Sequence, residues 1–464
     1  MNFSPVQINR TFVRKPIDKE HLFVYNSSRT FDRICPIIRK HKQGGSVMHS
    51  NIRTILHCDL NNYFASVECL RLPQYRNIPM IVGGSVEDRH GIVLAKNEPA
   101  KKFGIRTGET IWQAKIKCPD LAVLEAHYED YVRYSRYIRQ IYSEYTDQVE
   151  SMGIDECWLD VTASEGLFGC GQQIAEELRQ RIKRETGLTI SAGVSFNKVF
   201  AKLGSDIRKP DAVTVIPYEH FREIVWPLPA CEMLGVGMKT YKKIYYRGCR
   251  TIGDIANMNI ELLHSWLGKT GEMLWAYANG LENSRVLWQT ESEPIKSIGH
   301  GTTTRADLET DTEVAYIIRE LAEEIGQKLR QNHLKAAGVA VQIRENDMTV
   351  REYQCKMRYS TQLAREIAGE AITVFRKKHI WNRPIRSVTV RSIYIRPENA
   401  DEQLDMLYDY TGERRMLELE KTMDSIRDRY GTRAITSGSS LYMNEKLASK
   451  RIGFGSTEFA CRNG

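Results

Sequence analysis

The chain has 464 residues, 42% of them hydrophobic and 27% charged, the balance of a water-soluble globular protein of about three domains. No apolar run approaches the roughly 18 residues that cross a bilayer, and no apolar core follows Arg10, Arg14 and Lys15 as it would in a secretory signal. Ten cysteines without one Cys-x-x-Cys pair indicate neither a zinc site nor a disulfide framework, so reduced thiols in a cytoplasmic protein are the plain reading; the net charge of +8 is modest, and overall charge is weak evidence for nucleic acid.

Residues 1–50 hold nine Lys/Arg against three Asp/Glu and few periodic apolar positions, which reads as a basic leader. Met48 stands just ahead of the first convincing strand and is a second place at which translation can begin. Thr54–Cys58 is an apolar strand that delivers Asp59, followed at once by helix-like Asn61–Glu68. Further strands are expected at Pro79–Val82, Ile92–Ala95, Ala122–Leu124, Cys157–Val161 and Thr189–Val194. They alternate with helices over Tyr128–Tyr145 and Gly171–Thr186, the pattern of a mixed α and β unit. The tyrosines at 131, 134, 137, 142 and 145 favour packing over a base-stacking platform.

Within this unit Ser151–Asp160 carries two adjacent carboxylates, Asp155 and Glu156, at the start of a short buried strand. An arbitrary Asp-Glu pair is most often a solvated turn. Here, if the two strand ends are neighbours in one sheet, Asp59, Asp155 and Glu156 surround a common point. Three carboxylates hold hard divalent cations such as Mg²⁺, and that is the equipment of two-metal phosphoryl transfer. Ala95–Gly104 is a basic turn and helix, and Asn197–Pro210 a second, with Lys198, Lys202 and Lys209 on roughly one face. Any one such lysine is most often a solvated charge; opposite a carboxylate–metal site the set suits a triphosphate.

Leu234-Gly235-Val236-Gly237, a helix over Lys239–Arg247 and Thr251–Ile255 match a helix-hairpin-helix, whose free N–H groups suit a DNA phosphate; an ordinary glycine turn fits equally well. Trp266, Trp275 and Tyr277 are expected to pack this small helical domain, and Glu291–Pro294 reads as a linker. Residues 295–398 read as a βαββαβ-like unit. Its closing segment Arg376–Arg396, including Arg386 and Arg391, has seven Lys/Arg and no Asp/Glu, which suits a duplex backbone, with a solvated basic strand as the alternative. Beyond Pro397 the composition turns polar, with a short apolar peptide at Gln403–Leu407 and a helix-like Glu413–Tyr430.

Three motifs in this order (Asp59 to Phe64, Ser151 to Asp160, Asn197 to Pro210) followed by a helix-hairpin-helix resemble the Y-family translesion DNA polymerases, over about residues 52–398. The resemblance implies a multidomain α+β right hand. Its palm would be residues 51–62 and 126–217, its fingers 63–125, its thumb 218–285, a linker 286–294 and a little finger 295–398, with a tail at 399–464. It implies two Mg²⁺ ions, with Mn²⁺ a possible substitute, held by Asp59, Asp155, the Leu60 carbonyl and Glu156, the last being the catalytic carboxylate. Phe64 matches an aromatic gate against a ribose 2′-hydroxyl, and Lys101 and Lys209 match positions that contact the incoming triphosphate. Gly235, Gly237, Arg386 and Arg391 would grip DNA. Gln403, Leu404, Met406 and Leu407 resemble a sliding-clamp peptide, although Leu407 replaces the usual terminal aromatic. Glu98 stands where many relatives have a tyrosine, and Lys101 where arginine is common. The implied activity is template-directed, error-prone DNA synthesis by a monomer, from deoxynucleoside triphosphates on primer–template DNA and without an exonuclease domain. Two rivals stand beside it. A non-catalytic DNA- and clamp-binding mutagenesis accessory on the same fold is disfavoured by retention of all three carboxylates. A nucleotidyl cyclase leaves the helix-hairpin-helix and basic sheet unexplained.

Overall fold

The computed structural model describes residues 52–84, 91–291, 294–400, 409–431, 434–435 and 438. Strand β1 (Ile55–Leu60) is buried along its whole length because both of its faces are covered. Leu56, Cys58 and Leu60 enter a core with Tyr131, Ile138, Ile141, Ile174 and Leu178. On the alternate positions, Ile55 packs with Trp158 and Ala201, and His57 reaches Ser205. The period of two thus assigns Asp59 to the same face as Ile55 and His57. β2 (Met80–Gly83), β3 (Val93–Lys96) and β4 (Ala122–Leu124) form a small sheet of order β3-β2-β4. The chain then returns through β5 (Val149–Ser151), β6 (Glu156–Asp160), β7 (Ile190–Ser195) and β8 (Val213–Ile216). With β1 these make a five-stranded sheet of order β5-β6-β1-β7-β8, antiparallel except for the β7–β8 pair.

Helices Tyr128–Ser143 and Gly171–Thr186 cover one face of that sheet, and Lys198–Ile207 lies on the other. Gly193 makes the last contact possible. A Cβ there would stand 1.9 Å from the Ala201 carbonyl oxygen, so the helix approaches the sheet only where a side chain is missing. Asn197 caps the helix by accepting from the Phe200 N–H at 2.8 Å. The helix ends at Ile207, so Lys209 is not on its face as the spacing suggested. It follows in a loop, as expected of a residue whose proline neighbour disfavours helical backbone.

Five short helices between Phe221 and Ala278 share a further core with Val199, Phe200 and Leu203 of the helix Lys198–Ile207 and with Ile216 of β8, and Trp226, Trp266, Trp275 and Tyr277 pack against it. Residues 286–289, expected as part of a linker, run beside β5. Val286 is fully buried, the Leu287 N–H donates to Glu150 and the Gln289 N–H donates to the Asp147 carbonyl. Last comes an antiparallel sheet of β9 (Ser297–Leu308), β10 (Leu334–Glu345), β11 (Val350–Thr361) and β12 (Ile385–Pro397), ordered β11-β10-β12-β9. Helices Asp311–Gln331 and Ala364–Lys378 share its core, so the unit runs βαββαβ as its sequence pattern indicates. A further helix, Tyr410–Tyr430, docks on this unit through Arg330, Glu420 and Asp424. Among the described residues no helix is long and apolar enough to cross a membrane, and the eight cysteines are free thiols. The basic leader and the peptide Gln403–Leu407 lie outside the described residues.

Candidate active site

β1 and β6 pair antiparallel with Asp59 opposite Glu156, which puts the two side chains on one face at directly facing positions. Asp155 precedes β6, and its carbonyl accepts the Leu60 N–H at 3.0 Å. The strand ends expected to be neighbours are neighbours. The turn after β1 is locked by Asn61, a buried residue that sequence reasoning passed over. Its Nδ2 donates to Ser191 Oγ at 2.8 Å, and its Oδ1 accepts from Thr189 and from the Asp211 N–H. Asn62 then turns left-handed (φ +51°), a conformation asparagine tolerates, and starts the helix Tyr63–Arg71.

Three lysines pair with carboxylates of this sheet, two of them with Asp59 and Glu156. Lys198 Nζ lies 2.7 Å from both Glu150 oxygens, Lys202 Nζ 2.5 Å from Glu156 Oε2, and Lys209 Nζ 2.7 Å from Asp59 Oδ2 and 2.6 Å from Asp206. Buried His57 lies between Ser205 (2.9 Å) and Glu156 (3.5 Å), and burial holds its imidazole below the ordinary value. Burial, opposed by Lys209 and assisted by the charges of Glu156 and Asp155, pushes the Asp59 carboxyl up to about 7. Lys209 is itself raised: burial works against its charge, but Asp59 and Asp206 outweigh burial. Asp155 is raised by burial and by Glu156. For Glu156 burial acts upward, yet the neighbouring His57 and the hydrogen-bonded Lys202 prevail and bring it down to about 2.

Among the described residues no three Asp, Glu, His or Cys side chains close on one point at metal-binding separations. The sequence expectation of a common point is therefore met only as a shared sheet end, because Asp59 and Glu156 are each drawn to an ammonium group. The donor set nevertheless fits a hard divalent cation. It offers carboxylate oxygens and a main-chain carbonyl, and Asp59 and Asp155, lifted by burial, gain most from added positive charge.

Phe64 stacks on Tyr131 with ring centroids 4.2 Å apart and planes 10° apart, and meets Tyr128 edge-on. The Tyr131 hydroxyl donates to Glu68, which also takes His127 and Arg71, so the ring behind Phe64 is itself fixed. The tyrosines at 131 and 142 are buried, in keeping with packing. Lys101 lies in the short helix Glu98–Lys102 and pairs with Glu98 at 2.7 Å; a second donor to Glu98 is Asn62. Gly235 takes a φ of +88°, and Gly237 precedes the helix Met238–Tyr245 with no side-chain cap, which leaves its first N–H groups free of one; Lys239, Lys242 and Lys243 are exposed on it. On β12, Val388 and Val390 are buried while Arg386 and Arg391 are partly exposed, and Arg391 pairs with Glu352 across the open face.

A strand–turn–helix bearing one carboxylate, beside a hairpin bearing two and ahead of a separate βαββαβ unit, matches a known architecture. The impB/mucB/samB family model matches residues 58–206, and the model of that family's C-terminal domain matches residues 295–406. The chain belongs to this family, the Y-family DNA polymerases. It is 46% identical over 386 residues to DNA polymerase IV of Acetivibrio thermocellus, covering 83% of this chain and 97% of that one. DNA polymerase IV 1 of Bacillus subtilis is 32% identical over 400 residues, covering 86% and 95%. A solved Y-family DNA polymerase chimera, Dbh-Dpo4(243-245)-Dbh, superposes with a TM-score of 0.67 at 23% identity. It covers 74% of this chain and 99% of that chain, so the α+β fold with its C-terminal little-finger sheet is shared.

Proposed function

We propose that the chain is a template-directed, error-prone DNA polymerase that extends primers across damaged template and does not proofread. The observation that carries this reading is the Asp59–Glu156 cross-strand pair with Asp155 beside it, each strand end fixed by main-chain hydrogen bonds. We assign the palm to residues 51–62 and 126–217, the fingers to 63–125, the thumb to 218–285, the connection to 286–294 and the little finger to 295–398.

In this reading Asp59, Asp155, Glu156 and the Leu60 carbonyl hold two Mg²⁺ ions, with Mn²⁺ as a substitute. The bound ions supply acidity to the primer 3′-hydroxyl and positive charge to the triphosphate. The chain's own residues do the rest. Glu156, ionised and partly exposed, orients the primer end, while Lys101 and Lys209 bind phosphate oxygens and offset charge on departing pyrophosphate. Phe64, backed by Tyr131, fills the space a 2′-hydroxyl would need. Gly235, Gly237, Arg386 and Arg391 hold the duplex backbone without reading its bases. The peptide bearing Gln403, Leu404, Met406 and Leu407 engages a sliding clamp, and the protein acts as a cytoplasmic monomer.

Primer extension with Mg²⁺ or Mn²⁺ on undamaged and abasic templates tests the proposal. Extension is expected only with template, and Asp155→Ala is expected to lose it. Good DNA binding with no extension under either ion would favour the accessory reading instead. The gate assignment has its own test. Phe64→Ala is expected to raise ribonucleotide incorporation about 10- to 100-fold relative to deoxynucleotide. Unchanged sugar selectivity in single-turnover assays would reject it.

A further inference from the structure

We propose that Glu98 is a positioning residue for nucleotide selection, clasping the helix that carries Lys101 to the turn that presents Phe64. The proposal rests on the reading of Lys101 as a triphosphate ligand. One carboxylate oxygen, Glu98 Oε1, accepts from Lys101 Nζ at 2.7 Å and from Asn62 Nδ2 at 2.8 Å. These donors lie on separate elements: Lys101 in the helix Glu98–Lys102, Asn62 in the turn between β1 and the helix Tyr63–Arg71.

The backbone is held on both sides of the Glu98–Asn62 contact. Asn62 is left-handed and immediately precedes Tyr63 and Phe64, so its orientation fixes where that helix starts. Its side chain does not cap the helix but donates to Glu98. On the other side Asn97, buried, fixes the backbone from which Glu98 projects. Asn97 Oδ1 accepts from the Met80 and Ala100 N–H groups, and Asn97 Nδ2 donates to the Tyr75 and Ile78 carbonyls. The four hydrogen bonds satisfy the Asn97 amide and hold the backbone at the foot of Glu98.

Glu98 and Lys101 are about half exposed, at 45% and 38% of their side chains. An ion pair at that exposure is weak, and a polyanion carrying several charges displaces it. The Asn62 hydrogen bond involves no charge on its donor and survives that exchange. Glu98 thereby has two effects. Its charge competes with triphosphate for Lys101, and its hydrogen bond with Asn62 keeps the helix Glu98–Lys102, and so the foot of the phosphate-binding lysine, in register with the turn that presents Phe64. A nucleotide is then gauged across both points at once, so a displaced sugar also displaces the phosphates.

The test uses the full-length protein and single-turnover incorporation of dGTP and GTP opposite template dC. Glu98→Ala is expected to lower deoxy-over-ribo discrimination about fivefold, the scale of one lost hydrogen bond. Asn62→Ala, cutting the same bond from the other side, is expected to lower it similarly. Glu98→Gln keeps an acceptor oxygen for Asn62 but not the charge. It is expected to restore discrimination and to lower the dGTP KM about threefold with little change in kcat. Wild-type discrimination in Glu98→Ala, or a Glu98→Gln protein that discriminates no better than Glu98→Ala, overturns the clasp. Lys101→Ala separates the two layers of the argument. If it leaves the dGTP KM unchanged, the triphosphate reading falls and the clasp with it. If KM rises while Glu98→Ala still discriminates normally, only the clasp falls. Matching melting temperatures for all variants guard against misfolding.

Discussion

Glu156→Ala is expected to reduce nucleotide incorporation at least about thousandfold while primer–template affinity stays within a few-fold of wild type. The expectation follows from where the side chain stands. Glu156 opens β6, faces Asp59 across the strand pair and remains 22% exposed, so it is reachable by a primer end without being part of the duplex grip. Its removal frees Lys202 and leaves the buried core beneath, Cys157 and Leu159, in place. Fluorescence anisotropy for DNA binding beside rapid-quench kinetics separates the two effects. Parallel loss of both would make Glu156 a structural residue and sink the catalytic assignment.

Arg330→Ala is the second large effect, and it is one of stability. The Arg330 guanidinium, 6% exposed, takes Asp424 with two nitrogens (2.6 and 3.0 Å), pairs with Glu420 and donates to the Gln362 carbonyl. Glu420 in turn accepts the Ala364 N–H at 3.1 Å, capping a helix whose own N-cap residue, Leu363, has no side-chain acceptor. Arginine removal leaves two mostly buried carboxylates without their cation, a change that costs about 3–5 kcal/mol in comparable buried pairs. Burial already holds the Glu420 carboxyl above its ordinary value, so protonation can relieve part of the loss, and about 3 kcal/mol is expected. Urea unfolding of the two proteins measures it. A shift worth less than about 1 kcal/mol would mean that the Tyr410–Tyr430 helix rests on the sheet unit without supporting it.

Much of the catalytic half was legible because its signals are local. Thr54–Cys58 reads as a strand from apolar content alone, and the structure extends it to Leu60. Gly171–Thr186 has the predicted bounds, since Gly187 turns left-handed (φ +73°) just beyond it. The edge strands β5 and β8 escaped notice. Three residues containing Glu150 show no periodicity, and β8 is defined by its parallel pairing with β7, not by its own pattern. Within the site, residue types were readable and partners were not. Nothing local to Glu98 discloses Asn62, 36 positions earlier, and nothing near Glu150 discloses Lys198. The end of the helix at Ile207 was available from Pro210, whose effect on the residue before it outweighs the lysine spacing.

The two-sided burial of β1 has a consequence for how this segment can vary. Core residues and the carboxylate share six consecutive positions, odd ones facing one layer and even ones the other, while both neighbours, β6 and β7, fix the pairing. Substitution at one position disturbs one face. Insertion or deletion of a single residue exchanges the faces, sending Cys58 or Leu60 to the charged end and Asp59 into hydrocarbon. Length changes are therefore barred from this strand across any lineage that keeps the activity, and length variation has to be absorbed in the turns and loops outside it.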